Sequence, residues 1–249
     1  MSRHILLLAA GLSLTACQTT EFLPLMPHSP EFVGLSNHYP ITLNKGFWLE
    51  DKLNVSVGPF SVSNMDISWQ TSTASGTSIG IDKLGYNDQS VKNEQSFSYQ
   101  LNSSAGNSQS RCRQSIRSNE QSWSFNAHFS LPLNFDASYS YHCQFGAASQ
   151  TWQLLILADN YGKAEFQLYD QSNNHYEIRP VNYDLMPIPH RTFIGFELLK
   201  GTEKLAAVAM NEPGDIWINQ ALPQAEQDLL VNALLNLWFF KHALDKNIN

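Results

Sequence analysis

One serine of this chain stands in a pattern that suits nucleophilic chemistry. Residues 76–80 match G-x-S-x-G, the turn that exposes a nucleophilic serine between a strand and a helix. Here the motif follows a Ser- and Thr-rich stretch, and residues 81–85 do not continue as a helix. We therefore interpret residues 71–80 as a loop, and keep Ser78 only as the nucleophile of an alternative in which the protein is a hydrolase.

A pair of carboxylates, Asp159 and Glu165, is the second candidate for catalysis, because two carboxylates can serve as acid and base in glycoside hydrolysis. Residues 170–174 contain Asp and Asn but lack the glycine and glutamate of a calcium loop, which favours a turn. The histidines and cysteines have no metal-ligand spacing. The sequence thus predicts no enzyme, metal site or cofactor.

Three arginines form the local basic cluster of the chain: Arg111, Arg113 and Arg117. Guanidinium groups pair well with phosphate and carboxylate, so the cluster is a candidate contact for an anion or an acidic partner. Its polar surroundings also favour a solvated loop over residues 102–119. The tryptophans suggest either glycan stacking or core packing. Trp123, Trp152 and Trp217 occupy apolar positions of the alternating pattern in their predicted strands, which favours core packing.

The N-terminus carries the most specific signal. Arg3 and His4 precede a short apolar run that ends in Leu14-Thr15-Ala16-Cys17, and this run is too short for a permanent membrane span. The segment resembles the lipobox signal peptide of bacterial lipoproteins. The resemblance implies that residues 1–16 are removed and that Cys17 becomes the acylated N-terminus, which anchors the protein to a membrane. The alternative is an ordinary secretory signal with a cysteine by chance.

Gln18 follows this cysteine where an aspartate would favour retention at the inner membrane. The lipoprotein resemblance therefore implies a periplasm-facing protein anchored to the outer membrane. The formal net charge is −7, and loss of Arg3 with the signal peptide makes it −8. Such an acidic chain is not expected to bind nucleic acid.

Two cysteines remain after lipidation, Cys112 and Cys143. In an exported protein they most simply form one disulfide, and two free buried thiols are the alternative. A link that closes a loop of this length is worth ~3–4 kcal/mol in chain-entropy terms. We expect it to join the loop of residues 102–119 to a strand.

Residues 17–40 are predicted to be a tether, because Pro24, Pro27 and Pro30 recur every third residue, as in polyproline II. Residues 41–249 are predicted to be one β-rich domain. Strict alternation over residues 122–130 and 139–145 indicates half-buried strands, and about ten further short strands have turn-rich links. This pattern favours an antiparallel barrel or sandwich of about twelve strands.

The convincing helix covers residues 223–244. Apolar residues occupy most of its circumference, while Asp228, Asn232, Asn236 and His242 share a polar stripe about 120° wide. A helix on a protein surface has a narrower apolar face and a wider polar face. We therefore expect this helix to be largely buried, as a sheet wrapped around it would achieve.

The end of the chain resembles the tubby-like C-terminal fold, which tubby proteins, phospholipid scramblases and the LURP-one group share. The residues that carry the likeness are 195–199, 205–208, 215–218 and the helix 225–240. The resemblance implies a closed barrel around a central helix, and it transfers no functional residue.

These observations lead to three functional hypotheses. The first is a lipid-anchored, non-catalytic binding or scaffolding module whose partner is an envelope protein, lipid or glycan. The second is a hydrolase of envelope material that uses Ser78 or the carboxylate pair. The third is a lipid-binding tubby-like protein.

Overall fold

The computed structural model describes residues 26–43, 55–68, 70–81, 84–126, 129–147, 150–159, 163–182, 193–211 and 213–248. Cys17 and the tether up to residue 25 therefore lie outside the described residues. The elements in chain order are α1 (Pro30–Gly34), β1 (Ser36–Leu43), β2 (Val55–Val57), β3 (Phe60–Ile67), β4 (Thr71–Ile81), β5 (Leu84–Ser103), β6 (Gly106–Asn126), β7 (Phe129–Ala147), β8 (Gln150–Asp159), β9 (Ala164–Asp170), β10 (His175–Asn182), β11 (Phe193–Lys200), β12 (Glu203–Ala209), β13 (Asp215–Asn219) and α2 (Gln224–Ile248).

Twelve of these strands form a closed antiparallel barrel, as the sequence predicted for the fold class. Each strand from β5 to β13 pairs with the next, β13 pairs with β1, and β1 leads through β2 to β3. The barrel closes where β3 pairs with residues 97–102 of β5. The same edge of β5 pairs with β4 over residues 84–94, so β4 is an extra strand beside the barrel.

Two regions that we expected to be loops are strands. Residues 71–80 form most of β4, and residues 102–119 belong largely to β5 and β6, which pair over nineteen residue positions from Gly85–Ser124 to Ser103–Gly106. The expectation was wrong because it required apolar alternation. A polar sequence can still form a strand where its backbone groups pair along a long hairpin and its side chains remain in water.

The second half of the predicted tether is also folded. Ser29 caps α1, its Oγ accepting the amide of Phe32 at 3.3 Å, and β1 begins at Ser36. Met26 and Phe32 are buried against Ala207 and Ala209 on the outside of the barrel. We call residues 26–34 the strap. A spacer can therefore extend no further than residue 25.

The C-terminal helix α2 is enclosed by the barrel. Its residues 230–240 are all buried, which places every side of the helix against other parts of the protein. Phe240 packs on Tyr139 and Tyr141 of β7, while Phe239 packs on Phe97 and Tyr99 of β5. The prediction of a largely buried helix is confirmed, and the barrel interior is a packed core.

Two members of the polar stripe of α2, Asn232 and Asn236, are buried as well, and their partners lie on the barrel wall. Asn232 Nδ2 donates to Ser108 Oγ at 2.7 Å, and Ser110 Oγ donates to Asn232 Oδ1 at 2.6 Å. Tyr141 Oη donates to the backbone carbonyl of Asn236 at 2.9 Å. Buried polar groups are costly without partners, so these bonds fix the rotation and depth of the helix in the barrel.

Candidate functional site

The disulfide is present, but it joins two neighbouring strands. Cys112 of β6 and Cys143 of β7 stand directly opposite each other in the antiparallel register, and both are buried. The Sγ of Cys112 also lies 3.3 Å from Asn236 Oδ1 on α2. The link therefore lies on the inner face of the barrel wall, next to the enclosed helix, and does not fasten a loop.

Ser78 lies inside strand β4 and not at a strand-to-helix turn. Its Oγ donates to Asn87 Oδ1 on the neighbouring strand at 2.7 Å. The strained turn that exposes a nucleophile in G-x-S-x-G hydrolases is therefore missing at this serine. This geometry does not favour the hydrolase alternative at Ser78.

The predicted arginines all point outward from β6. Arg111, Arg113 and Arg117 are exposed, whereas the intervening Cys112 and Gln114 are buried, as the two-residue period of a strand requires. Arg113 and Arg117 line a groove of about 750 Å³ on the outer face of β5 to β9. Arg111 is not among its lining residues, and it donates to Gln109 at 3.2 Å.

The groove exists because small side chains occupy its middle. Ser115 on β6 and Ser138 and Ser140 on β7 form its floor with Leu157, which is 41% exposed. Longer charged side chains flank this floor: Lys92, Glu94, Arg113, Arg117, Asp159, Lys163 and Glu165. A strip of serines between long side chains on a flat sheet leaves a depression.

Strand register sets which charges meet across the groove. Arg117 stands opposite Lys92 on one side and Ser138 on the other, and Ser138 stands opposite Asp159. Glu165 on β9 stands opposite Leu157. The two carboxylates proposed as a catalytic pair therefore line one groove together with two of the three arginines.

Two of the cations in the groove already share one carboxylate as their ion-pair partner. Lys92 Nζ and Arg113 Nη2 both lie 2.9 Å from Glu94 Oε1. The hydrogen bond from Lys92, together with the charge of Arg113, holds the pKa of Glu94 below its ordinary value. Glu94 thus remains an anion near neutral pH and forms ion pairs with both cations.

Arg117 and Lys163 are the other two cations. In the part of the chain that the structure describes, neither side chain makes an ion pair. Asp159 accepts the backbone N–H of Lys163 at 2.9 Å, so it is already engaged. The groove therefore offers an unengaged guanidinium and ammonium beside serine hydroxyls, which suits an anionic group.

Sequence reasoning missed Lys92, Glu94 and Lys163. The polar run around residues 84–96 had no apolar alternation, so no strand was assigned to place Lys92 and Glu94 on one face. One sequence signal could have placed Lys92 and Glu94 on one face of a strand. It is their two-residue spacing, which matches that of Arg113, Ser115 and Arg117 on the paired strand.

The tryptophans divide between core and surface. Trp152 is buried, as expected, and Trp217 is partly buried beneath the strap. Trp123 is 37% exposed and pairs edge-on with Tyr86, so its assignment to the core was wrong. Its neighbour Ser122 is buried, so Trp123 lies on the outward-facing side of β6.

Residues 170–174 form a turn, as predicted. Asp170 Oδ1 accepts the backbone amides of Ser172 and Asn174 at 2.8 and 2.9 Å, and its Oδ2 accepts from the side chain of Asn174 at 2.7 Å. Across the described ranges, no group of three or more His, Cys, Asp or Glu side chains is arranged to hold a metal ion. Among the described helices, none has the length and apolar character needed to cross a bilayer.

These features define a closed twelve-stranded barrel with an enclosed C-terminal helix and an external charged groove. Comparison with known proteins gives no significant match among family models, curated proteins or solved structures. The tubby-like resemblance therefore rests on the sequence residues that carry it and stays a prediction.

Proposed function

We propose that this protein is a non-catalytic binding or scaffolding module, anchored by lipid on Cys17 to the periplasmic side of the outer membrane. The lipobox-like segment at residues 14–17 supports the anchor. The single observation that carries the binding role is the external groove, which gathers charged side chains from β5 to β9 on a rigid barrel wall. Its volume lies in the range of ordinary ligand sites.

The groove is proposed to hold an anionic group of an envelope component. Arg117 and Lys163 supply the attraction, and Ser138 and Ser140 supply hydroxyl donors at the floor. The opposing carboxylates Asp159 and Glu165 limit the site to a local anionic group, because a long polyanion would meet repulsion along the same wall.

Site-specific photo-cross-linking in cells tests this role. A photoreactive residue at Ser140 on the groove floor is expected to capture one envelope component, and Arg117→Ala is expected to abolish that capture. A photoreactive residue at the exposed Ser61 on β3 is the matched control and should not capture it. Absence of a cross-link from Ser140, or an identical product from Ser61, would contradict the proposal.

A second candidate function is glycoside hydrolysis, because Asp159 and Glu165 line the same groove. Its test is turnover of envelope glycans by the mature protein. Loss of that turnover in Asp159→Asn and Glu165→Gln, with retention in Arg117→Ala, would replace the binding proposal. A cross-linked product at Ser140 that proves to be a lipid would instead favour the tubby-like hypothesis.

A further inference from the structure

A second cavity lies at the end of the barrel where α2 enters. Its volume is about 860 Å³. The adjoining ends of the strand pairs β5–β6, β7–β8, β9–β10 and β11–β12 surround it, and the first turns of α2 form one wall. We call this space the mouth cavity. It is separate from the groove, and the mouths of barrels are common places for ligand sites.

Two aromatic rings belong to the apolar lining of the mouth cavity, together with Leu101, Pro223, Ala225 and Leu229. Trp152 and Tyr176 both line it, and their ring centroids are 5.2 Å apart. Both residues are almost fully buried, at 4% and 7% exposure, so the rings are held in place and present little surface to the cavity. A rigid aromatic wall offers apolar contact at a low entropic cost.

Two carboxylates on α2 face the mouth cavity and are held in place by neighbours. Glu226 Oε1 accepts from Tyr176 Oη at 2.7 Å and lies 3.7 Å from Lys200 Nζ. Asp228 accepts from Ser103 Oγ, and its Oδ1 accepts from Gln224 Nε2 at 2.7 Å. Each carboxylate has further lone pairs, so both are fixed acceptors for a ligand that brings hydroxyl donors.

Other polar side chains at the rim are free to bind. Asn107, Asn173 and His175 line the mouth cavity, and within the described ranges none of the three side chains makes a hydrogen bond. The amides of Asn107 and Asn173 each offer donors and an acceptor, and the His175 ring offers one of each when neutral. The rim therefore offers both hydrogen-bond donors and acceptors. The lining carries one cation, Lys200, against the two carboxylates Glu226 and Asp228, so its net charge disfavours an anion.

We propose that the mouth cavity binds a neutral oligosaccharide. Sugar hydroxyls both donate and accept, which matches the amides, the imidazole and the two carboxylates. The C–H faces of a pyranose ring match the apolar lining, in which Pro223, Ala225 and Leu229 are more exposed than the two rings. A lipid tail would leave the polar rim unpaired at a cost, and an anionic ligand would approach Glu226 and Asp228.

Calorimetric titration of the full mature protein tests this inference. The probes are chitotetraose, cellotetraose and maltotetraose, with tetragalacturonate as the anionic comparison. At least one neutral tetrasaccharide is expected to bind, with affinity reduced about tenfold in Asn107→Ala, equivalent to ~1.4 kcal/mol. Arg117→Ala in the groove is the matched control and should leave this affinity unchanged.

If none of the three neutral tetrasaccharides binds at millimolar concentration, the inference is overturned. Preferential binding of tetragalacturonate would also overturn it, as would binding that Arg117→Ala removes and Asn107→Ala does not affect. Asn107 is exposed and forms no side-chain hydrogen bond, so Asn107→Ala should unfold at the wild-type temperature, and a loss of binding will not reflect a loss of fold. These outcomes are independent of cross-linking at Ser140.

Discussion

The hydroxyl oxygen of Tyr99 on the barrel wall lies 2.7 Å from Oδ1 of Asn232 on the enclosed helix. The same oxygen lies 2.8 Å from Oδ1 of Asn236, so its one proton serves one acceptor at a time. All three residues are almost completely buried, and burial raises the pKa of Tyr99. A bond pattern of this kind selects one rotation of the helix, because turning it would leave the amides among apolar side chains.

Replacing Tyr99 by phenylalanine should destabilise the protein by about 1–3 kcal/mol, because a buried acceptor loses its donor. Urea unfolding measures this loss. Tyr169→Phe is the matched control: its hydroxyl bonds to Gln153 at 3.3 Å in a partly exposed position, so that change should cost less than ~0.5 kcal/mol. Equal losses in the two variants would refute the structural role given to the Tyr99 hydroxyl.

Formation of the Cys112–Cys143 disulfide should be complete in the mature protein. An assay for free thiols without reductant is expected to find none at Cys112 and Cys143, because the two sulfurs are bonded in a buried cross-strand pair. Replacing both cysteines by alanine should lower the free energy of unfolding by about 2–5 kcal/mol. Two reactive thiols in the untreated protein would show that the pair does not form.

The strap depends on the absence of a side chain at Gly195. A Cβ there would overlap Sδ of Met26 and lie 2.6 Å from the carbonyl oxygen of Val208. Gly195→Ala should displace the strap and cost about 1–3 kcal/mol, which limited proteolysis and urea unfolding would detect. Gly34→Ala is the control, because a Cβ at Gly34 has no neighbour within 4 Å. A protected strap in Gly195→Ala would mean that Met26 does not occupy this position.

Protonation of His28 should weaken the fold under mild acid. Burial, and next the charge of Lys204, lower the pKa of His28 to about 4, while Glu197 opposes the shift and His38 adds to it. Between its unfolded value near 6.5 and about 4, the unfolded chain binds more protons, so stability falls as the pH falls through this window.

His28→Phe should reduce this pH dependence, because phenylalanine retains ring contact with Trp217, whose centroid lies 4.2 Å away, and does not titrate. The measurement is the free energy of unfolding at pH 7 and at pH 4.5 for both proteins. Identical differences between the two pH values would contradict a neutral, partly buried His28.

The sequence predicted β7 and α2, where the pattern reflects buried apolar side chains. The alternation over residues 122–130 was wrong as the prediction of one strand, because β6 ends at Asn126 and β7 begins at Phe129. Alternation over Tyr139, Tyr141, Cys143 and Phe145 correctly placed one face of β7 in the core, and all four residues are buried. The apolar circumference of α2 correctly indicated enclosure. Both signals are direct consequences of burial, so they can be read without knowledge of the partner elements.

Strands that gain their stability from backbone pairing were missed. The side chains of residues 71–79 in β4 are all exposed, so the sequence there has no period to detect. The lack of a hydrophobic period also explains why the sequence did not predict most of the groove. Lys92, Glu94 and Arg113 meet only through the register of β5 against β6. Register follows from the long hairpin as a whole, and no local pattern reveals it.

Every statement about where the groove acts depends on the proposed lipid anchor, and metabolic labelling with an alkyne fatty acid tests this anchor most directly. The wild-type protein should carry the label, lose residues 1–16 and fractionate with the outer membrane. Cys17→Ser should lose the label and leave the membrane fraction. Unchanged labelling, processing and fractionation in Cys17→Ser would contradict the account.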